Sequence, residues 1–455
     1  MTTTIQKLAR FITSPDYALD TQSRATVCDA LIDTLGCILV GARQPFIQQI
    51  QATLAAWGEG NAPVFGSDMR LSIPWAAMAN GAASHAIEFD DWEIPGNTHP
   101  SGVLFSAILA VAADRPTSGR AVLDAYVAGF ETIARIGEGV NFDHYANGWH
   151  ATATLGAIGA AASVARLTEL DEVQTAHALA ISVSQALGYT DQFGSNAKPL
   201  HAGFAAKAGV VAAALAGNGL TGQLNILESK KGFAALMGKG SGAAFSAEFI
   251  TPNPQYPAIT QYGLVIKPYP TCGYTHRVLD AVLALRAKHQ PDPEQIRRVT
   301  ASITDFHVAI LPFDTPQDRA EALFSVPFCL ALALVRGRVT LADIDDHAWQ
   351  DATVAALMPK VTKIARVPIR PELNYDREDP DWVEVEMADG TIHREAVAFP
   401  LGTPQNRMAS AQVLQKFLSN AALSVDADQA IIEALQTWDR SADINTVLTP
   451  FGKQQ

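Results

Sequence analysis

Cysteine is scarce in this chain: Cys28, Cys37, Cys272 and Cys329 are the only thiols in 455 residues, and no CxxC pair occurs. Such scattered cysteines exclude a disulfide scaffold or a zinc ribbon and read as reduced thiols of a cytoplasmic protein. Charge is also thin, at 17% of residues, and basic charge is thinner. Thirty-three Lys and Arg stand against 46 Asp and Glu, for a net charge of −13. No basic stripe is present to neutralise phosphates, which excludes nucleic acid as an expected partner. An acidic small molecule is not excluded, because a cationic pocket can sit inside an acidic surface. Long unbroken apolar runs are missing too. The opening MTTTIQKLARFITSPDYALD has no apolar segment of the secretory type, so no signal peptide is expected. The uncharged stretch Ala208 to Leu227, AGVVAAALAGNGLTGQLNIL, is broken by Asn, Gly, Thr and Gln. It is expected as a small-residue packing helix with its exit loop, not a bilayer span, and no membrane partner is expected.

What the chain does have is helical periodicity. Its length suggests two or three domains, and 48% hydrophobic residues can fill them. In ATVCDALIDTLGCILVG, Val27, Leu31, Leu35, Ile38 and Leu39 recur at helical spacing and Gly41 is placed to stop the run. Ala- and Gly-rich helical patterns continue through SGVLFSAILAVAADR, ATATLGAIGAAASVARL and AGFAAKAGVVAAALAGNGL, the composition of closely packed buried helices. After about Lys267 the character changes. IRRVTASITDFHVAI alternates and is rich in β-branched residues, and DWVEVEMADGTIHREAVAF predicts a hairpin turning at Asp389-Gly390, a pair suited to a type I′ turn. Between them AEALFSVPFCLALALVRG predicts one helix, and beyond Pro400 the pattern is helical again. The expected fold is mainly α, a large all-helical domain with an inserted smaller α+β domain. Residues 1–267 form the first part of the helical domain, 268–400 the α+β domain, and 401–455 the return to the helical one.

One chemical pattern occurs at four helix starts. His99 stands before Pro100, His150 before a small-residue helix, Lys198 before Pro199, and Lys267 before Pro268 with a helix after the Thr271–Thr275 turn. A residue before proline is pushed from the α region, and proline is tolerated in a first helical turn. His99, Lys198 and Lys267 are therefore predicted in extended backbone just outside helix N-termini, where free N–H groups and the dipole favour an anion. If the four starts converge, they form a seat for a polycarboxylate surrounded by proton-transfer groups. Any one of them taken alone is an ordinary residue at a helix start. His201 and His276 lie one turn inside their helices and read as structural or as supports behind the site.

The blocks LIDTLGCILVGAR, HAIEFDDWEIPGNTHPSG, WHATATLGAIGAAASVARL, KPLHAGFAAKAGVVAAALA and IKPYPTCGYTHRVLDAVLAL resemble, in order, the signature blocks of the MmgE/PrpD family. That family includes 2-methylcitrate dehydratase, cis-aconitate decarboxylase and iminodisuccinate epimerase. The resemblance implies a homodimer in which the α+β domain is a lid, and an inter-domain active site with no metal or organic cofactor. The family's two histidines fall on His99 and His150, its two lysines on Lys198 and Lys267, and its acidic block on Asp90 and Asp91. Phe328 stands where some members have a tyrosine, and Trp92 and Glu93 stand where a threonine or a second His-Pro is common. Tyr145 is the best local substitute for the missing phenol.

HAIEFDDWEIPGNTHPSG raises the question of a metal, since histidine and carboxylate are good ligands. No HExxH helix is present and the spacing of His85, Asp90, Asp91 and His99 matches no compact ligand set, so no metal is expected. A solvated loop accounts for Glu93 and Asn97 but not for the tie to the other helix starts, so an active-site loop with a functional His99 is expected; His85 and Glu88 are expected to pack or cap, and Asp91 to orient a base or the loop. The family's reactions share removal of a proton beside a carboxylate, and the missing phenol tilts the reading toward epimerisation of iminodisuccinate. Lys198 and Tyr145 would be the opposed acid and base, His99 and His150 would act beside them, and Lys267, Asp91, Thr271 and Cys272 would bind substrate. The alternatives are a dehydratase of the 2-methylcitrate type, a non-catalytic polycarboxylate-binding protein, and a helical scaffold with no ligand. Lys198→Ala is expected to abolish turnover without loss of fold, as a cleft lysine contributes little packing.

Overall fold

The computed structural model describes residues 2–238, 250–345, 347–371, 373–422, 424–425 and 427–452, so the last residues of the returning segment, 453–455, lie outside the described residues. The chain forms two compact units, Met1–Ile266 with Ala409–Gln455, and Lys267–Met408.

The first unit is helical. Its long helices are Thr21–Gly41, Ile73–Ser84, Pro100–Ala112, Gly119–Val140, Ala151–Leu167 and Ala197–Gly217. Side-chain caps start several of them: Asp20 accepts from the Ser23 amide at 2.7 Å and Ser118 from the Ala121 amide at 3.2 Å. Ala197–Gly217 packs against both Ala151–Leu167 and Ile73–Ser84. Small residues permit this close approach. A Cβ at Gly203 would lie 2.4 Å from the Met78 carbonyl oxygen, and one at Gly81 would lie 2.9 Å from the Gly203 Cα. Ala197–Gly217 is the one unbroken helix among the described residues long and apolar enough to cross a membrane, and 61% of that window is buried inside the protein, as in a core helix. The C-terminal helix Ser410–Ala421 packs on Thr21–Gly41. From it Lys416 reaches the Asp33 carboxylate and the Phe89 carbonyl, both at 2.6 Å.

The second unit holds a four-stranded mixed sheet in the order Val361–Arg366, Ile296–Thr304, Asp381–Met387, Ile392–Val397. The first pair is parallel and the other two are antiparallel. Asp381, Val383 and Val385 alternate inward as a pleated strand requires. Helices His276–His289 and Val326–Arg336 pack on each other and on the sheet.

Three local expectations are corrected here. The alternating run from Ile296 stops at Thr304, and Asp305–Ile310 is a short helix. Asp305 in its first turn satisfies the Phe306 amide at 2.7 Å, an arrangement that favours helix over continued strand. The single helix expected around Phe328 is two, Arg319–Ala322 and Val326–Arg336, because Ser325 caps the Phe328 amide and Pro327 occupies the new first turn. The hairpin turn is not type I′: only Gly390 has positive φ, 87°, and four residues, 388–391, separate the strands. Gly390 N–H bonds the Met387 carbonyl, and Met387 N–H bonds the Thr391 carbonyl across it.

Candidate functional site

His99 and His150 are the N-cap residues of Pro100–Ala112 and Ala151–Leu167, as their sequence context predicts. Lys198 differs from expectation. It lies inside the first turn of Ala197–Gly217, following Asn196 in αR backbone. Pro199 does not prevent this, since a proline in the first turn removes an N–H that has no helical acceptor.

These three residues meet in the first unit through side chains that sequence reading treated as packing. His85 follows the helix Ile73–Ser84 and donates from Nδ1 to Asp90 Oδ2 at 2.7 Å. The His99 ring lies 4.6 Å from the His85 ring, and the His150 ring lies 5.7 Å from it on another side. Phe193 then bridges to the lysine: its ring is 4.9 Å from that of His150 and 4.9 Å from the Lys198 ammonium. The Tyr145 ring is 6.5 Å from Phe193. Lys198 forms an ion pair with Glu88, and both are buried. Glu88 has φ of 56°, a left-handed conformation costly for a non-glycine residue and often found where side-chain placement matters.

Hydrogen bonds orient the rings. Nδ1 of His99 donates to the Asp91 carbonyl at 2.7 Å and lies 3.4 Å from Asp90 Oδ2. Nδ1 is thus the nitrogen turned toward the acidic block, with a carboxylate behind the ring. The Asp91 carboxylate accepts from the Ser101 amide at 3.3 Å, so this residue caps the helix and holds the loop. Burial pushes the Asp91 carboxyl well above its usual range. His150 pairs with His201, Nδ1 to Nδ1 at 2.8 Å, and burial followed by the nearby His85, His201 and His99 rings pushes His150 well below the usual histidine range.

The loop that carries Glu93 is buried. Glu93 is 0% exposed and folds the loop onto itself, accepting from Gly96 N, Thr98 N and Thr98 Oγ1 at 2.8, 3.1 and 2.8 Å. Burial outweighs those donors and raises its carboxyl to about 7. Trp92 pairs its backbone with Val265.

His85, Asp90 and His99 form the one metal-capable group among the described residues, their ligand atoms within 4.8 Å of one another. However, the 2.7 Å between His85 and Asp90 is a hydrogen bond. Two ligands on a tetrahedral zinc ion would keep about 3.3 Å, given bonds near 2.0–2.1 Å. The group is a hydrogen-bonded His–Asp pair with His99 beside it.

The remaining expected residues belong to the second unit. Lys267 and Thr271 are 0% exposed and Cys272 is 7% exposed. Thr271 Oγ1 bonds Thr275 Oγ1 at 2.8 Å, and the Cys272 amide donates to the Leu323 carbonyl at 2.9 Å. His276 opens the helix His276–His289 rather than lying one turn inside. Phe328 is fully buried, edge-on to Trp349. The residues that sequence reasoning passed over are His85, Glu88, Phe193 and His201. The first two stand in the quoted acidic block; Phe193 carried no signal at all.

Residues 6–246 match the MmgE/PrpD N-terminal domain and residues 269–440 the C-terminal domain. Among similar proteins are a cis-aconitate decarboxylase of Aspergillus terreus, 28% identical over 92% of this chain and 89% of that protein. The cis-aconitate decarboxylase of Homo sapiens is 27% identical over 92% and 88%. The 2-methylcitrate dehydratase of Cupriavidus necator is 27% identical over 90% of each chain. With both domain models matched in order over most of its length, the chain belongs to the MmgE/PrpD family.

Proposed function

We propose that the chain is a lyase acting on a di- or tricarboxylic acid by proton transfer at the carbon beside a carboxylate, with dehydration of a β-hydroxy acid as the leading reaction. The observation that carries this reading is the pair of proton-transfer groups at opposite ends of one buried cluster. At one end is His99, its Nδ1 held by the Asp91 carbonyl and near Asp90; at the other is the Lys198 ammonium, paired with Glu88 and lying against Phe193. His99, with a carboxylate behind it, is equipped to take the proton from carbon. Lys198, as the ammonium of an ion pair, is equipped to protonate the departing hydroxyl. His150 and Tyr145 flank Phe193 between them and are the proposed further acid–base groups. Developing carboxylate charge would be met by Lys198 and by the helix starts that carry His99 and His150. Lys267, Thr271 and Cys272 remain proposed substrate-binding residues, and Lys267→Ala is expected to raise KM more than it lowers kcat. Asp91 is proposed as a support for His99.

A second reading is decarboxylation, favoured by the decarboxylase relatives. It needs a proton donor at the carbon that loses carbon dioxide, and Lys198 or Tyr145 can serve. Epimerisation is set aside. It was inferred from Phe328, which is a core residue packed on Trp349, and the similar proteins named above are lyases. Purified protein incubated with 2-methylcitrate and with cis-aconitate in heavy water separates the cases. Growth of alkene absorbance marks dehydration and carbon dioxide release marks decarboxylation. Deuterium uptake with scrambled stereochemistry and neither product would overturn the lyase reading.

A further inference from the structure

The reaction proposed above gives no role to His201, yet its placement is the most specific of any second histidine in the cluster. It lies on Ala197–Gly217, one turn beyond Lys198, and its Nδ1 is 2.8 Å from Nδ1 of His150. Two imidazoles in this contact hold one hydrogen between them, so one ring donates and the other accepts. The backbone makes room for the contact at Gly188. Its carbonyl accepts the His150 amide at 3.0 Å, and a Cβ there would meet Ala153 Cβ at 2.5 Å and the His201 ring at 3.4 Å. His150 is 1% exposed and His201 6%.

We propose that His201 is the relay and positioning partner of His150, an inference that rests on His150 belonging to the acid–base machinery. In the resting pair Nδ1–H of His150 donates to Nδ1 of His201, which carries its own hydrogen on Nε2. When Nε2 of His150 accepts a proton, the Nδ1 hydrogen passes to His201 and Nε2 of His201 releases one to solvent at its exposed edge. No net charge remains on either ring, and the shared bond now runs from His201 to His150. The return step restores the first arrangement. His150 thus changes from proton acceptor to proton donor at a single ring atom, without the buried cluster having to hold an imidazolium.

The surroundings favour two neutral rings. His85, His99 and His144 face His150, Lys198 faces His201, and Glu88 pairs with Lys198. Burial and then the Lys198 charge push His201 down to about 4.

The test uses the full-length protein with its histidine rings labelled with nitrogen-15. Wild type is expected to show a through-hydrogen-bond nitrogen–nitrogen coupling between the two Nδ1 atoms, and saturating citrate is expected to reverse which ring carries the shared hydrogen. His201→Phe should abolish the coupling and lower kcat about 100-fold with little change in KM. His201→Asn, which can hold the His150 ring by a hydrogen bond but cannot pass a proton, should recover melting temperature more than kcat. Absence of coupling, coupling that citrate leaves unreversed, or His201→Phe retaining wild-type kcat would each overturn the relay. So would His201→Asn losing as much activity as His201→Phe with an equal loss of melting temperature, since that marks packing alone. If wild type turns over neither 2-methylcitrate nor cis-aconitate, the lyase reading fails, while coupling and its reversal by citrate still decide the relay.

Discussion

Lys198 cannot be treated as a freely replaceable cleft residue. It is 5% exposed and paired with Glu88, which is itself 5% exposed. Truncation leaves a buried carboxylate without its cation, and breaking such a pair costs about 3–5 kcal/mol. The expectation of an intact fold in Lys198→Ala is therefore revised. The single variant should lose both turnover and several degrees of melting temperature. Lys198→Met combined with Glu88→Gln should recover most of the stability but none of the activity. Equal recovery of both would show the pair to be structural only. The residue scale is also where sequence reading had least to work with. His99 and His150 announce themselves by their helix starts. Glu88 becomes important only because a left-handed backbone turns its carboxylate toward a lysine 110 positions later.

At the scale of elements, Ala197–Gly217 does the most to build the site, because it carries both Lys198 and His201 while packing on Ile73–Ser84. The contact depends on Gly203, where a Cβ would meet backbone rather than a flexible side chain. Gly203→Val is expected to force the helices apart, destabilising the protein by about 1–3 kcal/mol. The same displacement moves Lys198 and His201 relative to His85 and His150, so kcat should fall as well. Denaturant unfolding and steady-state kinetics on the same preparation check this, and unchanged values in both would contradict the close packing. Helix positions were legible from their periodicity and from stops such as Gly41. Breaks were less so. Ser325 and Pro327 start a new helix within an apolar run, and Asp305 ends a β-branched one, because local hydrogen bonds there outweigh pattern.

For the whole molecule, buried titratable groups make stability depend on pH in opposite directions. His144 is pushed down to about 4 by burial, against about 6.5 when unfolded. The unfolded chain therefore binds its proton first, and the stability this ring contributes is present above pH 6.5 and lost as pH falls toward 4. Relative to wild type, His144→Leu should gain up to about 3 kcal/mol between pH 7 and pH 4. Glu93 has the opposite sign. Its carboxyl is raised to about 7, so its contribution is complete below pH 4.5 and lost as pH rises through 7. Glu93→Gln should gain on wild type between pH 5 and pH 8, by up to about 3 kcal/mol. Melting curves across pH check both, and parallel curves would show that neither group titrates as its burial requires. The sequence by itself determined the helical character, the change to strands after Lys267, and the histidines and lysines to watch, because periodicity, capping and proline chemistry act over a few neighbouring residues. Only tertiary structure decided that buried His85, His150, His201 and Lys198 gather with half-buried His99 in one cluster, and that Glu93 is inside rather than in water. Those outcomes depend on helix packing between residues far apart along the chain, and no local pattern encodes that distance.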